Sequence, residues 1–202
     1  MSKQLLVEYT TFEVTPQQIN ESLSKNGGKL IVSGVLQRAE AKNQNGRIYP
    51  KETLMREADK YAEGFIAEKR ALGELDHPDS SVVNLNNVSH NVLDMNWKGD
   101  DLVGTVEVLG TPAGNILKEL FKSGIRLGIS SRGMGSVKEV MREGDNTLEV
   151  QPDFELIAFD FVSNPSTHGA FLSPVNESKG SNIKIDKYAK VNKLITDIIK
   201  EF

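Results

Sequence analysis

The sequence predicts an α+β fold, a mostly antiparallel β-sheet or barrel core flanked by helices and followed by a C-terminal amphipathic helix. Three observations lead to this. Strand-like runs alternate with only a few helical ones along the 202 residues. The regular β-α-β rhythm of a parallel sheet is missing. One pair of strand-like runs is joined directly, across Lys98-Gly99-Asp100-Asp101, as a hairpin is.

Taken in order, LLVEYTTFEV near the N-terminus reads as a strand. TPQQINESLSKNGG reads as a short helix capped by Thr15 and stopped by Gly27 and Gly28. KLIVSGVLQRAEAKN is a strand that loses its apolar character near Arg38. Asn45-Gly46 marks a turn, and Pro50 stands just before a helix over 51–69 with Leu54, Ala58, Tyr61 and Phe65 on one face. A short strand around Leu72–Leu75 leads into an irregular loop. After the hairpin, TPAGNILKELFKSG is a helix capped by Thr111, with Pro112 at its first position and Gly124 at its end. IRLGISSRGMGSVKEVM and NTLEVQPDFELIAFDFVSNPS are strand-like, with glycine breaks. The expected organisation is a domain over 1–172, a polar linker over 173–187 and an amphipathic helix over 188–202. That helix carries its apolar stripe on Tyr188, Val191, Leu194, Ile195, Ile198, Ile199 and Phe202.

Composition narrows the function. Hydrophobic residues make up 38% and charged residues 26%, enough apolar material for a core. No window approaches the ~18 apolar residues of a membrane span, and the N-terminus does not read as a secretory signal. Action in a cytosol, without a membrane partner, is therefore expected. The absence of cysteine removes thiol nucleophiles, disulfides and Cys-based zinc sites. A net charge of −4, with Lys and Arg scattered among acids, argues against nucleic acid as a partner.

Three histidines, His77, His90 and His168, are the natural candidates for a base near neutral pH. His77 lies in the irregular segment ELDHPDS, His90 in a predicted strand and His168 in a small-residue loop. Any one of them is more often structural than catalytic. GISSRGMGS is the most unusual stretch. Glycines within a strand mark close approach by a ligand or a neighbouring chain segment, and Ser130 and Ser131 must point to opposite faces. Arg132 adds fixed charge, and small residues leave N–H groups open to an oxyanion. A plain glycine-rich bulge fits the same pattern. Asp160, between Phe159 and Phe161, needs a cationic partner if it is buried, whereas strand alternation would turn it into water. Asp76-His77-Pro78-Asp79 is too sparse for a metal site, and no Walker A or dinucleotide fingerprint occurs. No metal and no cofactor is expected.

Five segments in order, NGRIYPKETL (45–54), ALGELDHP (71–78), MNWKGDDLVG (95–104), GISSRGMGS (128–136) and FDFVSNPS (159–166), together resemble the prohead core proteases of T-even-type tailed phages, relatives of the herpesvirus assemblins. The resemblance implies an assemblin-like serine endopeptidase. It would process scaffold and core proteins, the major capsid precursor and itself inside the prohead, in the host cytoplasm, cleaving after an aliphatic-x-Glu pattern. It makes Ser130 the nucleophile and His77 the base. Asp160 is favoured as third member, with His168 as its rival. Ser131, Arg132 and Gly133 would serve the oxyanion or bind substrate. Self-processing is expected at Leu6-Val7-Glu8, at Ile199-Lys200-Glu201, or at both, although Leu117-Lys118-Glu119 shows that such tripeptides also arise by chance. On this reading residues 1–172 are the protease domain, and the C-terminal helix is a propeptide or a segment docking onto scaffold or a neighbouring subunit, as in a homo-oligomer. The alternative is an inactive structural relative in a capsid or tube, which would keep the fold without the chemistry.

Overall fold

Thr15 and Thr111 act as the sequence predicts. In the computed structural model, which describes residues 2–142 and 144–163, Thr15 forms a capping box with Gln18 at the start of α1 (Pro16–Lys25). Thr111 Oγ1 accepts from Gly114 N at 3.0 Å at the start of α3 (Pro112–Lys122). Both helices place proline in the first turn, where its missing N–H leaves no bond unmade. Gly124 follows α3 with φ +71°, the left-handed conformation that ends a helix. The middle helix is shorter than predicted. α2 covers Lys51–Tyr61, and Ala62–Ile66 continue it as a π-helical turn. The predicted linker, the C-terminal helix and His168 lie outside the described residues.

Among the described residues ten strands form three sheets: β1 (Gln4–Phe12), β2 (Leu30–Arg38), β3 (Arg47–Ile48), β4 (Leu72–Glu74), β5 (Val88–Lys98), β6 (Asp101–Val108), β7 (Leu127–Gly135), β8 (Val137–Arg142), β9 (Asp145–Val150) and β10 (Glu155–Val162). The sheet orders are β1-β7-β10, β2-β6-β5-β4 and β3-β9-β8. Every pairing is antiparallel except β3 with β9. The predicted hairpin is β5–β6, turning at Gly99 with φ +62°. The β2-β6-β5-β4 and β1-β7-β10 sheets meet at a parallel bridge between Leu75, just past β4, and Phe161 on β10, and Asp76 N donates to Phe161 O at 2.7 Å. On the far side β1 packs beside β2, where the Phe12 ring lies against Gly34.

Inside lies a core of Phe12, Phe121, Phe159 and Phe161 with Leu54, Tyr61, Val92, Val106 and Leu117. Phe12 and Phe121 meet Phe161 edge-on at 5.2 and 5.4 Å, a geometry that aligns ring edge with ring face. Along β6 the inward residues Leu102, Gly104, Val106 and Val108 alternate with half-exposed ones, the pattern of a sheet covered on one face. β7 shows no such alternation. It is central in its sheet and buried almost throughout.

Candidate active site

The glycines of GISSRGMGS accommodate neighbouring rings. A Cβ on Gly128 would come 1.7 Å from the Tyr9 ring, and one on Gly133 2.4 Å from the Phe154 ring. Of the two sequence readings, close approach by a neighbour prevails over a simple bulge.

Face assignment follows from register. Leu127 and Ile129 point into the core, so Ser131 shares their face and Ser130 shares the opposite one with Arg132. Across the sheet, Ser130 pairs with Tyr9 on β1 and with Asp160 on β10. Directly opposed residues project to the same side. Ser130, Arg132 and Asp160 therefore line one face. Ser131 lies opposite Glu8 and Phe159 on the other. Ser130 is 1% exposed, and its Oγ is buried without a hydrogen-bond partner among the described residues.

Asp160 is fully buried, so strand alternation does not turn it into water. Its partner is Arg132. Nε of the guanidinium lies 2.9 Å from Oδ2, and Nη2 donates to Oδ1 at 3.2 Å. Oδ1 also accepts from Glu74 N at 3.0 Å. Arg132 Nη2 reaches Glu74 Oε1 at 3.1 Å, and Nη1 donates to Ser80 O at 2.7 Å. Both terminal nitrogens are thus hydrogen-bonded, whereas Nε lies within ion-pair distance of Oδ2 without a hydrogen bond among the described residues. Burial pushes the Asp160 carboxyl up to about 6, with the Arg132 charge pulling against it.

His77 hangs from this cluster, between Glu74 and Ser80. Its ring is half-buried, and Nδ1 has no partner among the described residues. Asp76 just before it adopts φ +65°, a conformation that Asp tolerates better than most residues. Its carboxylate accepts from His77 N at 3.1 Å. Asp76 therefore shapes the turn and does not reach the imidazole.

Two expectations change. Asp160 is directed at Arg132 and the Glu74 amide, and no hydrogen bond joins it to His77 among the described residues. An ion pair with a buried guanidinium wins over an imidazole at the edge of the cluster because the paired charges partly offset each other's desolvation. The oxyanion expectation for Ser131, Arg132 and Gly133 also weakens. Those residues lie between β1 and β10, so their amides face ladder partners, and both terminal nitrogens of Arg132 are hydrogen-bonded to Glu74, Ser80 and Asp160. Glu74 and Ser80 are the residues that sequence reasoning passed over. A charged residue beside a strand glycine in GELDHP was the available signal for Glu74; a backbone carbonyl leaves none.

His90 is structural. It is fully buried, with Nδ1 2.9 Å from Ser89 Oγ and Nε2 2.9 Å from Phe159 O. A carbonyl only accepts, so Nε2 carries the proton. Burial pulls this imidazole down to about 4 from 6.5. Between those values the unfolded chain takes up a proton that the folded one refuses, so this group's contribution to stability falls as pH drops from about 6.5 to 4. Asp160 acts in the opposite sense between 3.8 and about 6, because there the folded chain holds the extra proton. Unfolding titrations of His90→Gln should therefore show a smaller loss of stability than wild type as pH decreases from 6 to 4. An unchanged acid-side loss would remove His90 as its source.

The expected N-terminal cleavage site is enclosed in the fold. Leu6-Val7-Glu8 lies within β1, paired with β7 throughout Gln4–Phe12. Glu8 is 4% exposed and accepts from Asn43 Nδ2 (2.6 Å), Asn45 Nδ2 (2.7 Å), Arg47 Nη1 (2.8 Å) and Tyr49 OH (2.9 Å), the residues around NGRIYP. A scissile bond must adopt an extended, unpaired form in a protease cleft, and this one is already held in a ladder. Mass spectrometry of prolonged incubations should find the Glu8–Tyr9 bond intact in folded enzyme; its loss would show that β1 detaches.

The comparisons with known proteins agree with this architecture. The family model described as prohead core protein serine protease matches residues 11–180. The prohead core protein protease of Enterobacteria phage T4 is 32% identical over 163 residues, 79% of this chain and 76% of that protein. The solved structure of the bacteriophage T4 capsid assembly protease, gp21, superposes with a TM-score of 0.68 at 29% identity, covering 81% of this chain and 99% of that one. With the family model spanning most of the sequence, from the end of β1 through β10, this chain belongs to the prohead core serine proteases.

Proposed function

We propose that this protease cleaves scaffold, core and capsid-precursor chains within the prohead by acyl transfer, with Ser130 as nucleophile and His77 as general base, after aliphatic-x-Glu sequences. The observation that carries the assignment is the shared face. Ser130 stands two residues from Arg132 on β7, and Arg132 holds both ends of the segment bearing His77. Ser131 faces the core beside Phe159.

The chemistry runs in two halves. Ser130 Oγ forms a bond to the scissile carbonyl carbon while His77 Nε2 takes its proton. The tetrahedral intermediate collapses, the C–N bond breaks, and the imidazolium returns the proton to the departing amine. Water, deprotonated by His77, then releases the acyl group and regenerates Ser130. The imidazolium needs an acceptor at Nδ1, and Asp160 is committed to Arg132. Asp160 fills that place only by leaving the guanidinium; His168 is the other candidate.

A fluorophosphonate probe tests the pair. Active enzyme should be labelled at Ser130, labelling should collapse in His77→Ala, and His168→Ala against Asp160→Asn should separate the third members. Labelling at Ser131, or labelling indifferent to His77, would overturn the assignment. Because Ser130 is 1% exposed, labelling should be slow until the site opens.

A further inference from the structure

We infer that Arg132 and Glu74 form a buried bracket that sets the position of His77 relative to Ser130, as positioning residues for the reaction. This rests on the Ser130–His77 reading above. The observation is a closed set of bonds. Glu74 Oε1 accepts from Arg132 Nη2 at 3.1 Å and from Asn84 N at 3.0 Å. Arg132 Nη1 donates to Ser80 O at 2.7 Å. Asp160, directly opposite Ser130, braces the guanidinium at 2.9 Å and holds the Glu74 amide at 3.0 Å. His77 is the midpoint of the span from 74 to 80. Both ends of that span are thus fixed to one side chain, two residues from the nucleophile on the same face of β7.

Stability alone is a poor explanation for this cluster. Arg132, Glu74 and Asp160 are each fully buried. Desolvating three charges is expensive, and well-packed apolar residues of similar volume often hold a fold as well or better. What the charges add is direction. A guanidinium presents donors in a rigid planar fork, so three acceptors on three segments can be fixed at defined angles. The loop has little else to fix it. Its Val82 and Leu85 are 71% and 72% exposed, so apolar packing does not hold its outer part. Without the bracket, the Asp76 amide on Phe161 O and the Leu75 amide on Asn87 O remain, and both lie N-terminal to His77. The C-terminal side of the span then loses its only anchor on β7 among the described residues.

The test is steady-state cleavage of a peptide carrying the aliphatic-x-Glu pattern, by the full chain, with thermal unfolding recorded alongside. Arg132→Lys keeps the charge beside Asp160 but replaces a fork by a single point. It should lower kcat by about 100-fold, the scale on which an ångström of misplacement acts, with KM within about twofold. Glu74→Gln keeps the shape and the Asn84 contact but weakens the hold on Arg132, and should lower kcat by about tenfold. A merely structural role would lower the melting temperature and leave the kcat of the folded fraction unchanged. Folded variants that turn over at the wild-type kcat, or that lose only KM, overturn the bracket. If Arg132→Lys does not fold, the isosteric Glu74→Gln decides by the same criterion. Ser130→Ala in the same assay keeps the two readings apart. If it cleaves as wild type, the active-site assignment fails; if it is silent while both bracket variants turn over normally, the bracket alone fails.

Discussion

Ser130→Ala should abolish peptide cleavage, lowering kcat by roughly 10⁴- to 10⁶-fold, while Ser131→Ala stays within about tenfold of wild type. The contrast is the point, because the two serines are chemically identical neighbours. Both are 1% exposed, and both hydroxyls lack partners among the described residues. They differ only in face. Ser131 sits over the core with Glu8 and Phe159 across the ladder. Ser130 faces the cluster that carries the His77 segment. The same burial makes a second measurable claim. Removing a buried hydroxyl that makes no bond relieves a desolvation penalty, so both alanine variants should melt at or slightly above the wild-type temperature. Loss of activity in Ser130→Ala would then owe nothing to unfolding. A large loss in Ser131→Ala, with Ser130→Ala active, would reverse the face assignment and with it the register argument.

Gly73→Ala should destabilise the protein by about 3 kcal/mol, at the upper end of what overpacking usually does. A Cβ at this position would lie 2.0 Å from Phe159 O and 2.3 Å from the His90 ring. Neither can step aside cheaply. Phe159 O is backbone in a buried strand and accepts from His90 Nε2 at 2.9 Å, and His90 is fixed on its other side by Ser89. Relief requires β4 to move away from β10, which would also drag the Glu74 amide off Asp160. Activity should therefore fall in the folded fraction as well. Gly99→Ala is the comparison. Its φ of +62° is unsuited to alanine, unlike the backbone at Gly73, but nothing lies within 4 Å of the added carbon. Backbone strain alone, about 1–2 kcal/mol, should be its whole effect. Chemical denaturation of the two variants separates crowding from strain, and equal losses would mean that the β4–β10 contact is looser than it is drawn.

Local signals were legible wherever a short range decides the outcome. The caps at Thr15 and Thr111, the stop at Gly124 and the β5–β6 turn depend on residues within four positions of one another, and they fall where expected. The helix predicted through 69 failed because apolar spacing continues past Tyr61 while the backbone widens into a π turn, to which periodicity is blind. The partner of Asp160 could not be read. The sequence says that a buried carboxylate needs a cation or an imidazole, and both Arg132 and His77 were available. The choice depends on which side chains share a face after two strands pair.

By itself, then, the sequence determined the chemical inventory: the absence of thiols, three histidines of which one lies in GELDHP, a paired serine in GISSRG, and an α+β order of elements. Tertiary structure decided which members of that inventory meet. In a strand covered on one side, alternation of burial reveals the facing of each residue from the sequence. β7 is covered on both sides, so the pattern around Ser130 and Ser131 is uniform, and only the register with β1 and β10 tells the two apart. The same register turned Asp160 toward Arg132 and left the Nδ1 of His77 without a partner among the described residues.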